Sequence, residues 1–143
     1  MRNRKIVALA AAIAWTWTWP VRAADAPPAD HVQAMKDLAA FVQALTKPDA
    51  EQDLQEARRW VPIVRDAFAI AGNYWNAKNE TGLYHPEVTT TQEAIKAASD
   101  MGVAATLGSA EGVAASVKDI AGRCQPCHDT HREKAPDGTF LIK

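Results

Sequence analysis

The chain has 143 residues, of which 48% are hydrophobic and 23% charged, and its formal net charge is −1. This length and this balance suit one globular domain and leave no room for a second core. The sequence has no cluster of basic charge of the kind that binds nucleic acid. We therefore expect a single domain without a nucleic-acid partner.

The N-terminal residues are typical of a secretory signal peptide. A basic start with Arg2, Arg4 and Lys5 precedes an apolar stretch from Ile6 to Trp19, and Val21-Arg22-Ala23 is a small-residue cleavage pattern. The apolar stretch is shorter than the ~20 residues that span a bilayer, which argues against a permanent membrane anchor. We predict cleavage after residue 23, export to the periplasm, a mature domain over residues 24–143, and no stable membrane insertion after cleavage.

Removal of the signal peptide changes the charge balance, because residues 1–23 contain four basic residues and no acidic one. The 16 basic residues of the whole chain fall to 12, against 17 acidic residues, so the net charge becomes about −5 with histidine neutral. Such an acidic surface suits a partner protein with a basic patch.

Helical periodicity begins soon after the predicted cleavage site. We expect the first helix to run from about Asp30, an N-cap candidate, to Leu45, because its apolar residues repeat every three or four positions. The second helix starts near Asp49 and keeps one register to Trp75. Pro62 lies inside that register, so we expect it to kink the helix or start a new segment, with the continued register favouring a kink.

The second half of the chain also contains signals that predict helices and the turns between them. A capping box at Thr90–Glu93 predicts the start of the third helix, and Gly108-Ser109 marks the last turn. In the fourth helical stretch, Gly122 and Pro126 are expected to loosen or restart the helix. Residues 135–143 are predicted to be a tail, and no strand is expected. The predicted fold is therefore all-α, an antiparallel up-down-up-down four-helix bundle.

One motif carries most of the chemistry, namely Cys124-Gln125-Pro126-Cys127-His128. Two cysteines three positions apart can each form a thioether with one of the two haem vinyl groups. The histidine that follows then supplies a neutral imidazole as the proximal iron ligand. The motif predicts one covalently bound haem c, with Cys124 and Cys127 as anchors and His128 on the iron.

Three other readings of this motif remain open. With His131, the two cysteines and His128 could form a zinc site, although such sites usually draw their ligands from two separated pairs. Cys-Gln-Pro-Cys is also similar to a thioredoxin-type redox pair, but no strand precedes it. A plain disulfide would not require a histidine directly after the second cysteine.

A family resemblance follows from these features together. A single Cys-x-x-Cys-His at the C-terminal end, the basic Arg132 after it and four preceding helical stretches resemble the class II cytochromes c. That group includes cytochrome c prime and its low-spin, methionine-ligated relatives. The resemblance covers residues 29–134 and implies a haem near the C-terminal end of the last helix. Family members usually carry an aromatic residue where this chain has His131, so the role of His131 is left open.

The resemblance also implies a distal ligand. In such a bundle, the end of the fourth helix lies level with the start of the first. Met35 is at that level, and the run Met35-Lys36-Asp37 resembles the ligand region of the low-spin relatives. We expect Met35 on the iron, with simple core packing as the alternative. His31 and His85 lie at the same end and leave bis-histidine ligation open, whereas Met101 is predicted to belong to the core.

Two functions follow from the distal ligand. With Met35 bound, the iron would cycle between its ferric and ferrous states, and the protein would transfer electrons between redox partner proteins. With an empty sixth site, the same fold would be a five-coordinate protein that binds nitric oxide or carbon monoxide. No acid–base pair, nucleophile or phosphate loop in the sequence indicates an enzyme. Whether two bundles form a homodimer is not decided by the sequence.

Overall fold

The computed structural model describes residues 25–45, 50–78 and 86–143, and 81% of the described residues are helical. The predicted signal peptide and the segment with Tyr84 and His85 lie outside these ranges. Within these ranges, five helices are followed by two short strands. The elements are α1 Ala29–Leu45, α2 Ala50–Lys78, α3 Pro86–Thr106, α4 Ala110–Gly122, α5 Cys124–His131, β1 Arg132–Lys134 and β2 Phe140–Ile142.

The first four helices pack together around a common core. Its largest fully buried side chains are Phe41, Val64, Met101 and Ile120, one from each of these helices. The main contacts join helices that follow one another in the chain, whereas α1 barely touches α4. The predicted helical bundle and the core position of Met101 are thus confirmed.

Helix α2 continues through Pro62 without ending there, as its apolar register predicts. The Pro62 ring is exposed on the surface.

Farther along α2, the helix approaches α3 very closely at Gly72. A Cβ atom at Gly72 would lie 2.8 Å from the Thr91 Oγ1 atom of α3, so glycine is the residue that this contact accepts.

Helix α3 begins earlier than the sequence predicts. It starts at Pro86, whose fixed φ suits the first helical turn, so the capping box predicted at Thr90–Glu93 is wrong. Thr90 lies inside the helix, where its hydroxyl donates to the Pro86 carbonyl at 3.1 Å. The earlier start adds Glu87 to the first turn and buries it.

The turn between α3 and α4 follows the prediction at Gly108-Ser109. Gly108 has a φ of +74°, and the Ser109 amide donates to the Ala104 carbonyl at 2.9 Å, which closes a Schellman-type helix end. The Ser109 hydroxyl then caps α4 by accepting a hydrogen bond from the Gly112 amide at 3.0 Å.

The fourth helical stretch is divided, as Gly122 and Pro126 predict. Helix α4 ends at Gly122, and α5 restarts at Cys124 with Pro126 as its third residue. Between them, Arg123 forms ion pairs with Glu93 of α3 and with Asp119, the latter at 3.0 Å. These ion pairs fix the junction against the bundle just before the Cys-x-x-Cys-His motif.

The prediction of a tail after α5 is wrong. Strands β1 and β2 pair antiparallel, with Arg132 opposite Ile142. The turn between them contains Gly138 at a φ of +88°, and the Asp137 carboxylate accepts a hydrogen bond from the Thr139 amide at 2.9 Å. This Asp-Gly turn, followed by residues that favour strands, folds the end of the chain back along α5.

The hairpin also binds the beginning of the described chain. Asp25 and Ile142 exchange two backbone hydrogen bonds of 2.8 and 2.9 Å, and we call this pairing the terminal clasp. Next to it, the Lys143 amide donates to the His131 carbonyl at 3.0 Å. The start of α1 and the end of α5 are thereby held at the same end of the bundle.

Candidate haem-attachment site

The two cysteines lie one helical turn apart on α5, and both are half-buried free thiols. The short helix begins after Arg123, which makes no side-chain cap, and Pro126 occupies a first-turn position that needs no backbone donor. The Cys124 Sγ atom contacts the Ile120 carbonyl at 3.6 Å. Residues three apart on a helix share a face, so both thiols can reach the same planar group.

Burial raises the pKa of both thiols. For Cys127 the pKa rises from 9.0 to about 11, mainly through desolvation and further through the negative charge of Glu87 and the Cys124 thiol. For Cys124 the rise comes from burial alone. Thiol oxidoreductases need the opposite shift, because their attacking thiol must ionise near neutral pH. The electrostatics of the pair therefore do not support the thioredoxin-like alternative.

His128 follows the second cysteine directly and is half-buried. Burial lowers its pKa, and the nearby Arg132 cation lowers it further, while Asp129 acts in the opposite direction. The imidazole is therefore neutral at neutral pH, as an iron ligand must be. The described part of the chain places no hydrogen bond on its ring nitrogens.

His131 lies one turn after His128 and is held by two neighbours. Its Nε2 atom lies 2.6 Å from the Oε1 atom of Glu87, which belongs to the first turn of α3. Its ring packs on the indole of Trp75 from α2, with ring centroids 4.4 Å apart. His131 thus joins α5 to both α2 and α3 beside the cysteine pair.

The first turns of α1 form the other side of this region. His31 is only 8% exposed, and its ring packs on Tyr74 of α2 with centroids 4.9 Å apart. Desolvation lowers its pKa, the negative Asp30 raises it, and the His128 ring is near enough to lower it again. Met35, one turn farther along α1, is half-buried against the core.

The residues present fit a covalently attached haem. Two free cysteines on one helical face and a neutral imidazole directly after them are the donor set that such a group requires. Within the described ranges, no three His, Cys, Asp or Glu side chains converge in the manner of a metal ion's ligand set. The zinc alternative therefore has no support from the geometry.

Most of the residues that the sequence singled out meet at this end of the bundle. The motif lies half-buried along the bundle, not in its core, because none of the α5 side chains is fully buried. His31 belongs to the region, and Met35 follows one turn deeper, whereas His85 and Tyr84 lie outside the described residues. Sequence reasoning missed Glu87. A clue was present, because a histidine in place of an aromatic residue at position 131 needs a hydrogen-bonding partner once it is buried.

Comparisons with known proteins add no further assignment. No family model, no curated protein and no solved structure matches this chain. In the part of the chain that the structure describes, the helices do not combine the length and apolar character that crossing a membrane requires.

Proposed function

We propose that this protein is an electron-transfer cytochrome of the class II type that carries one covalent haem c. The observation that carries the proposal is the pair of free, half-buried cysteines on one face of α5, followed directly by the neutral imidazole of His128. Cys124 and Cys127 would form the thioethers, and His128 would be the proximal iron ligand.

When bound, haem c supplies a single iron that exchanges one electron between its ferric and ferrous states. The chain's own residues hold and shield the group. Trp75, His131 and Glu87 fix α5 against the bundle. Close contacts between consecutive helices support the up-down-up-down arrangement.

The first helix would close the distal side of the iron. The sequence predicts Met35 there, and an occupied sixth site favours electron transfer over gas binding, because the iron changes oxidation state with little rearrangement. An open site would instead make the protein a five-coordinate receptor for nitric oxide or carbon monoxide. In neither case does the chain need an acid–base pair or nucleophile, so we do not propose an enzyme.

The proposed compartment is the periplasm. This rests on the sequence of residues 1–23, which lie outside the described residues and resemble a secretory signal peptide. The partners would be other redox proteins, with a basic docking surface to match the acidic mature chain. A homodimer is compatible with this function but is not required by it.

The test is expression of the full chain in a bacterium that attaches haem in its periplasm, compared with Cys124→Ser, Cys127→Ser and the double variant. We expect haem that resists acid–acetone extraction in the wild type. Each single variant should give the haemochrome spectrum of one unreacted vinyl group, and the double variant should lose covalent haem. A wild-type protein that is exported and folded, but carries no covalent haem, would overturn the proposal.

A further inference from the structure

The environment of His31 is unusual for a histidine that only packs. The side chain is 8% exposed, and its Nδ1 atom is buried without a hydrogen-bond partner among the described residues. A buried polar atom without a partner costs about 1–3 kcal/mol, so buried imidazoles normally hydrogen-bond or bind a metal. The ring stands against Tyr74, which limits its rotation.

The position of His31 along α1 matches that of His128 along α5. The terminal clasp and the Lys143–His131 hydrogen bond hold Asp25, four residues before the start of α1, near the end of α5. At about 1.5 Å per helical residue, His31 lies roughly 3 Å from the start of α1, and His128 roughly 4.5 Å from the end of α5. Met35 lies roughly 9 Å along α1, so it is farther from this level.

We propose that His31, rather than Met35, supplies the sixth ligand of the iron, so that the protein is a bis-histidine cytochrome. This inference rests on the proposed haem attachment. Two neutral imidazoles leave no open site for nitric oxide or carbon monoxide. They also give a lower reduction potential than a histidine–methionine pair, because sulfur ligation favours the ferrous state.

The two candidates offer a matched pair of variants on one helix face, His31→Leu and Met35→Leu. We would record the ferric absorption and spin-resonance spectra of the haem-loaded proteins, and carbon monoxide binding in the ferrous state. For the wild type we expect a low-spin spectrum without the near-infrared band of an iron–methionine bond. His31→Leu should become high-spin and bind carbon monoxide readily, whereas Met35→Leu should stay low-spin and closed.

A third variant guards against loss of the fold. In His31→Gly, added imidazole should restore the low-spin spectrum if the missing side chain was a ligand. A methionine band in the wild type that Met35→Leu abolishes would overturn the proposal, and so would a wild type that is already high-spin. Covalent haem content, measured in every sample, reports separately on attachment, so a failure of the proposed function is distinguished from a failure of this ligand assignment.

Discussion

The Nε2 atom of His131 lies 2.6 Å from the Oε1 atom of Glu87, and this contact ties helix α5, which carries the Cys-x-x-Cys-His motif, to the first turn of α3. Both side chains are largely removed from solvent, with exposed fractions of 19% and 9%. Trp75 also packs on the His131 ring. The helix that presents the cysteines is therefore positioned by a polar contact as well as by apolar packing.

The Glu87–His131 contact predicts that two variants differ markedly in how much they lower the free energy of unfolding. His131→Phe keeps an aromatic ring on Trp75 but leaves the buried Glu87 carboxylate without that donor, which should lower the free energy of unfolding by about 1–3 kcal/mol. Glu87→Gln retains a hydrogen-bonding oxygen and should cost about 1 kcal/mol or less. Urea unfolding of the haem-loaded proteins gives both values. The double variant should cost less than the sum, and additive losses would show that the two side chains do not interact.

The half-buried thiols predict that the haem-free protein reacts slowly with an alkylating reagent. Because the pKa of Cys127 rises from 9.0 to about 11 on folding, the folded thiol at neutral pH should react with iodoacetamide about 100-fold more slowly than an ordinary thiol. The urea-denatured haem-free protein provides the unburied reference rate. A folded thiol that reacts as fast as the denatured one would contradict the assigned burial.

The raised pKa of Cys127 also makes the free energy of unfolding depend on pH, and this free energy should fall as the pH rises. Above pH 9 the unfolded chain releases the thiol proton while the folded chain still retains it, so the unfolded state binds fewer protons and stability falls as pH rises. For Cys127 this loss should extend from about pH 9 to about pH 11 in the haem-free protein. In Cys127→Ser this contribution should be absent, and so should it be in protein whose Cys127 has formed the proposed thioether, because neither contains that thiol.

The close approach of α2 and α3 predicts that Gly72→Ala is harmful. The added Cβ would lie 2.8 Å from the Thr91 Oγ1 atom, and Thr91 is itself buried and donates to the Val88 carbonyl. We expect a net loss of about 1–2 kcal/mol, since overpacking outweighs the better helix propensity of alanine. In a Thr91→Ala background the same change should become neutral or stabilising. Gly122→Ala is the matched control, because nothing lies within 4 Å of its added Cβ.

The proline inside α2 predicts a stabilising substitution. Pro62 is exposed and cannot donate the backbone hydrogen bond that the helix interior requires. Pro62→Ala should therefore raise the free energy of unfolding by about 1–3 kcal/mol, measured by thermal or urea denaturation. The variant Asp66→Ala, at an exposed position of the same helix, measures the part of the gain in unfolding free energy that comes from helix propensity alone. An equal gain in the two variants would show that the proline costs the helix nothing further.

Local sequence signals predicted much of the fold. The apolar spacing of α1, the Gly108-Ser109 turn and the restart at Gly122 and Pro126 all depend on contacts within a few residues, so each could be inferred without tertiary information. The capping box at Thr90–Glu93 failed because a second valid start was available at Pro86. Burial of the first turn of α3 favours the earlier one.

The less predictable features depend on contacts between distant parts of the chain. The pairing of Asp25 with Ile142 has no signature in either segment. The hairpin was not predicted because its strands are too short to show an alternating pattern. Likewise, the sequence places Cys127 and His128 beside each other but does not show that Glu87 reaches this end of the bundle. The pattern of the motif could be identified from local spacing, whereas its surroundings required the fold.

The terminal clasp makes the described domain a nearly closed ring. Because Asp25 and Ile142 are hydrogen-bonded neighbours, a short flexible linker could join the two ends without moving any helix. New ends could then be opened at the exposed Gly108-Ser109 turn. In such a permuted chain, the thiol-bearing helix would lie near the beginning of the polypeptide, and the order in which the helices leave the ribosome would no longer place the two cysteines last.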